Sequence, residues 1–132
     1  AQQIRFEVNV FTDKYPQDNS WTLVNDQTSE LIASRYKDTF TPFTSHNDLV
    51  CLDYYQSTDT DTDKEQPHLQ QHNTYTFTFF DSYGEGDGIC CRGGYGSYSV
   101  FLDGTELFRG GEFQGVNSVS HTFTIVEKRR AT

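Results

Sequence analysis

The sequence predicts an all-β protein: an antiparallel β-sandwich of about eight strands with jelly-roll or Greek-key connections. Three observations carry this. Aromatic residues make up 15% of 132 positions and are nearly all Phe or Tyr, side chains that suit a pleated, half-buried surface. Apolar residues recur at every second position in run after run. Clusters of Pro, Asp, Asn and Gly separate these runs.

The runs can be taken in order. "IRFEVNVF" (Ile4 to Phe11) alternates, with Ile4, Phe6, Val8 and Val10 toward the core and Arg5, Glu7 and Asn9 outward. "TDKYPQDN" breaks it, and "SWTLVN" (Ser20 to Asn25) resumes with Trp21 and Leu23 on one face. "ELIASRY" (Glu30 to Tyr36) reads as a third strand, with a short helix as the alternative. "NDLVCLD" (Asn47 to Asp53) is the fourth. Residues 54–73 are polar and acidic and read as a long surface excursion. Its "DTDTDKE" lacks the central Gly and spaced Glu of an EF-hand loop. "TYTFTFF" (Thr74 to Phe80) puts Tyr75, Phe77 and Phe79 on one face and threonines on the other. "GSYSVFLDGTELFRGG" is a hairpin, because Asp103-Gly104 between two alternating runs signals a type I′ turn. "VSHTFTIV" (Val119 to Val126) closes a single domain over 1–127, and 128–132 is a polar tail.

The net charge of −9 argues against nucleic acid, whose phosphates need a Lys/Arg face. It suits a cation-binding or strongly solvated protein. No apolar run is long enough to span a bilayer as a helix. The opening "AQQ" fits the new N-terminus left by signal-peptide cleavage, so a secreted, extracellular chain is expected. No Asn-x-Ser/Thr sequon occurs, and "QSTDTDTD" is a candidate for O-linked sugar. Three cysteines, Cys51, Cys90 and Cys91, leave at least one unpaired within the chain.

The stretch "DSYGEGDGICC" (Asp81 to Cys91) follows the most apolar strand directly. Six glycines fall between Gly84 and Gly96, and such a loop is costly to order. Two agents are at hand. Asp81, Glu85 and Asp87 can gather a hard cation, and Ca²⁺ takes six to eight oxygens, carbonyls included. A disulfide from Cys90 or Cys91 is the other. Asp13 and Asp18 follow the first strand as Asp81 follows the fifth. If those strands run in the same direction, the acids meet at one end of the sandwich as a calcium site. The plainer reading makes Asp13 and Asp18 turn formers. Tyr15, Tyr83 and Tyr95 lie in the same loops and are candidates for stacking on sugar rings.

"FTDKYPQDNSWTLVN" followed by "YTFTFFDSYGEGDGICCRGGYGSYSVFLDGTELFRGGEF" resembles a small secreted module of marine bacteria, diatoms and related algae. Its pattern is T-D-x-Y-P-x-E-T-S-W, then D-S-Y-G-D-G-I-C-C, then G-S-Y. The resemblance implies secretion and a β-sandwich, and runs from Phe6 to about Phe113. Asp18 stands where the family has Glu. "DSYGEGDG" carries two extra residues, and Asp87 rather than Glu85 matches the family's second acid. Thr74 stands where the family tends to carry Cys. The resemblance therefore implies a bond from Cys51 to Cys90 or Cys91, with a strained Cys90–Cys91 bridge as the alternative.

No catalytic constellation is expected. His46, His68, His72 and His121 form no H-E-x-x-H motif, His121 reads as a packed or edge histidine, and no G-x-S-x-G elbow occurs. The turn accounts for Asp103, so it forms no carboxylate pair with Glu112. The expectation is a non-catalytic extracellular module, calcium-stabilised, that binds polysaccharide or mediates adhesion. The alternative is a structural subunit of an extracellular filament or coat, whose partners are other copies of itself.

Overall fold

The computed structural model describes residues 2–54, 74–82, 88–90 and 93–125. Expectations for Tyr83, Glu85, Asp87, Cys91, the histidines at 68 and 72, and the polar tail lie outside the described residues.

Eight strands are present among the described residues: β1 (Gln2–Phe11), β2 (Asn19–Asn25), β3 (Leu31–Arg35), β4 (Ser45–Tyr54), β5 (Thr74–Asp81), β6 (Ser97–Leu102), β7 (Thr105–Gly110) and β8 (Ser118–Thr124). A short 3₁₀ turn at Pro16–Asp18 precedes β2, with Pro fixing its start. Within the segment expected at Glu30–Tyr36, Leu31–Arg35 form a strand and not a helix. Two antiparallel sheets result, in the orders β4-β1-β6-β7 and β3-β2-β5-β8. Only β2–β3 and β6–β7 are sequential neighbours within a sheet; every other connection passes between sheets.

Alternation fixes which residues face inward. Phe6, Val8 and Val10 of β1, Trp21 and Leu23 of β2, and Tyr75, Phe77 and Phe79 of β5 are all buried, as the sequence predicts. Ile4 packs against this core from a half-buried position. The two inner faces meet through aromatic rings. Phe79 stacks on Tyr98 with centroids 4.7 Å apart and planes 7° from parallel. Phe77 contacts Phe6, Trp21, Tyr98 and Phe108 at 5.7 to 6.2 Å. On the outer face of the second sheet, hydroxyls pair across β5 and β8: Thr74 with Thr124 at 3.1 Å, Thr76 with Thr122 at 3.0 Å and Thr78 with Ser120 at 2.8 Å. Such cross-strand pairs reinforce the register while the face stays polar.

Tyr98 and His121 form a polar contact within the aromatic layer. The Tyr98 hydroxyl lies 2.9 Å from Nε2 of His121, and Phe108 stacks flat on the imidazole at 4.3 Å. Burial pushes the tyrosine up to about 12, so its hydroxyl keeps its proton, and the imidazole tautomer sets which of the two groups donates. Burial also holds the histidine below its ordinary 6.5.

Three outcomes are expected. Phe77, fully buried, leaves a cavity when truncated, so Phe77→Ala lowers unfolding free energy by about 3–5 kcal/mol in urea titration. Asp103 and Gly104 have φ of +51° and +86°, as a type I′ turn requires, and nothing lies within 4 Å of a Cβ built on Gly104. Gly104→Ala therefore reports backbone strain alone, a loss of about 1 kcal/mol. The third is a pH dependence. His121 is held neutral by the fold, so below pH 6.5 the unfolded chain takes up a proton that the folded chain resists. Stability falls as pH drops from 6.5 toward the lower folded value, and His121→Gln, which keeps a hydrogen-bond partner for Tyr98, flattens that slope.

Candidate functional site

Strand registers place four connections at one end of the sandwich. Phe11 pairs with Ser45 and Ser97, Asn19 with Asp81, and Phe80 with Ser118. The segments 12–18, 36–44 and 111–117, with residues 82, 88–90 and 93–96, therefore share this end. Main-chain hydrogen bonds knit them together. Lys14 N–H donates to the Gly93 carbonyl at 2.9 Å, Ser82 N–H to Asp18 at 3.0 Å and Phe43 N–H to Asp13 at 3.1 Å. Ile89 N–H donates to Gly111 and Gly96 N–H to Ile89, each at 2.8 Å. Thr12 ties 36–44 down, its hydroxyl donating to Thr41 at 2.5 Å. The connection after β1 therefore meets Ser82 and Gly93 of the chain beyond β5, because both strands end here.

Every exposed aromatic side chain among the described residues belongs to this end: Phe11, Tyr15, Tyr36, Phe43 and Tyr95, from 41% exposure at Phe11 to 78% at Tyr95. Three of them surround the glycines at 93 and 94. A Cβ on Gly93 would stand 2.8 Å from the Tyr15 ring, and one on Gly94 would stand 3.2 Å from the Phe43 ring. Tyr95 follows them and pairs by a β-bridge with Cys90. The Lys14 ammonium lies 5.5 Å from the Tyr15 ring centroid. Phe43 has φ of +50°, a left-handed conformation that is costly for a bulky residue.

Tyr15 and Tyr95 were legible as loop aromatics. Phe11, Tyr36 and Phe43 were not singled out, although Phe11 lies one residue past inward Val10 and so had to face outward. Nothing in the local sequence marks Phe43 as left-handed.

The acidic residues fall into distinct places. Asp13 and Asp81 are buried, at 5% and 7% exposure, and Asp18 is half-buried. Oδ1 of Asp13 accepts the Tyr15 N–H at 2.9 Å, the turn-forming role that Asp plays in such loops. Among the described residues no three His, Cys, Asp or Glu side chains cluster as metal ligands. Asp13, Asp18 and Asp81 thus share an end without forming a three-carboxylate cluster. Asn19, absent from the expected ligands, is 1% exposed and stands opposite Asp81 across β2 and β5. Its Oδ1 has no hydrogen-bond partner.

The cysteine expectation is corrected. Cys51 is a free, exposed thiol. It sits six residues along β4 from Ser45, about 20 Å from the loop end at strand rise, whereas a disulfide needs Cα atoms within about 7 Å. It also points away from the core, since buried Leu52 takes the alternate position. Cys90, buried beside the loops, is disulfide-bonded, and Cys51 is not its partner. Alkylation of the native, unreduced chain followed by peptide mapping is expected to modify Cys51.

Comparison with family models, with curated proteins and with solved structures finds no match to this chain. Among the described residues no helix is long and apolar enough to cross a membrane.

Proposed function

We propose that the chain is a non-catalytic extracellular module that binds polysaccharide, and so mediates adhesion, through the aromatic loop end. One observation supports this above others: all five exposed aromatics of the described residues gather at the end where four connections meet. Water-facing rings are apolar surface left unburied, and a pyranose covers such a ring with its own apolar C–H face while its hydroxyls reach polar groups at the rim. Tyr15 and Tyr95 supply hydroxyls beside their rings, and Asp13 and Lys14 lie within the same loops. The left-handed backbone at Phe43 fits this reading, because strain of that kind persists where presentation matters more than stability. The net charge of −9 favours neutral polysaccharides over sulfated or uronate-rich ones. Calcium belongs to the proposal as the agent that orders the acidic loops, drawing on the carboxylates at Asp13, Asp18, Asp81, Asp87 and Glu85.

Binding to insoluble neutral polysaccharides, read as depletion of protein from solution, tests this. Tyr95→Ala is expected to weaken retention about tenfold with the fold unchanged, the loss due to one stacked ring. Phe43→Gly is expected to weaken it similarly while unfolding free energy holds or rises by up to about 1 kcal/mol, because glycine relieves the strained φ. Equal retention of both variants and the parent chain, or none by the parent, would sink the idea.

A second reading has its own support. Leu49 and Cys51 are exposed on the outward face of β4, and β4 is an edge strand. A structural subunit of a filament or coat would pair copies along such an edge. Light scattering separates the two: a monomer favours the binding module, and a polymer favours the subunit.

A further inference from the structure

β2 begins and ends on an asparagine, and the two behave differently. Asn19 and Asn25 both face inward and both are buried. Oδ1 of Asn25 accepts the N–H groups of Gln27 and Thr28 at 3.0 and 3.1 Å, so it holds the β2–β3 turn. Oδ1 of Asn19 accepts nothing. A buried acceptor without a donor is costly, and folded proteins rarely keep one unless a water, ion or ligand completes it.

The surroundings of Asn19 indicate which kind of group completes it. Its register partner on β5 is Asp81. Antiparallel partners directly opposite each other project to the same side of a sheet, and here that side is the interior, where Asp81 is also buried. The next inward pair, Trp21 with Phe79, closes the floor with aromatic rings. A carboxamide oxygen and a carboxylate thus sit side by side above an apolar layer. Asp18 precedes Asn19, and its carbonyl fixes Ser82, the residue after Asp81. The two strand ends are therefore held as one unit. Neutral carboxamide oxygens and carboxylates are hard donors that suit Ca²⁺, which also accepts water and main-chain carbonyls. Mg²⁺ suits the place less, because it prefers a regular, hydrated octahedron.

We propose that Asn19 and Asp81 seat a calcium ion at the base of the loop end, with Asn19 Oδ1 as the neutral ligand and the Asp81 carboxylate as the charged one. This rests on the calcium element of the functional reading and gives it an address. The ion sits where β2 and β5 join the connections that carry Tyr15 and Tyr95, so calcium sets how rigidly those rings are held.

Calcium titration by calorimetry and thermal unfolding in calcium against chelator test the assignment on the full chain. The parent chain should bind calcium and melt at a higher temperature in its presence, since a ligand held only by the folded state must stabilise it. Asn19→Leu removes the orphaned oxygen while keeping the bulk. It should melt higher than the parent in chelator and lose calcium affinity by at least about tenfold. Asn19→Asp keeps an oxygen and adds charge. It should bind calcium more tightly than the parent and melt lower in chelator. Full calcium affinity in Asn19→Leu would overturn the assignment and leave calcium elsewhere in the loops. No calcium binding by the parent would overturn both the site and the calcium element, while polysaccharide retention would be judged by its own assay.

Discussion

The contact between the two inner faces governs this sandwich. Tyr98 of β6 lies flat against Phe79 of β5, and Phe77 two residues away touches rings from β1, β2, β6 and β7. Each sheet leaves an apolar face that must be covered, and aromatic rings cover the most area per residue. A chain with only 34% hydrophobic residues therefore closes its core with a few large rings. Everything at the loop end inherits its position from this layer, because Asp81 and Ser97 lie just beyond Phe79 and Tyr98 on their strands.

Much of the fold was legible because a period of two leaves little freedom. "TYTFTFF" can bury Tyr75, Phe77 and Phe79 together or expose all three. Asp103-Gly104 was legible for a similar reason: few pairs accept two successive left-handed residues. The same rule spoke for Cys51, since Leu52 inward puts Cys51 outward with Asp53. The pairing inferred from family resemblance ran against that signal, and the structure sides with the alternation.

The candidate site was legible only in part. Tyr15 and Tyr95 stand out as aromatics among turn residues, and the acids stand out by charge. Asn19 carries no such mark, because an asparagine beside a Pro- and Asp-containing turn reads as part of the turn. Its meaning comes from Asp81, sixty-two positions later, and from the hydrogen bond it does not make. Phe43 is silent for a different reason. Its backbone is set by the anchoring of 41–44 onto Thr12 and Asp13, a tertiary constraint absent from its neighbours in sequence.

The direction of the strands has a further consequence. β1 starts and β8 finishes at the end opposite the aromatic rim, with Gln2 across from Tyr54 and Thr124 across from Thr74. Held by either end of the described chain, on a neighbouring domain, a fibre or a bead, the sandwich stands upright on its support. Its rings then face outward, a full strand length from the point of attachment.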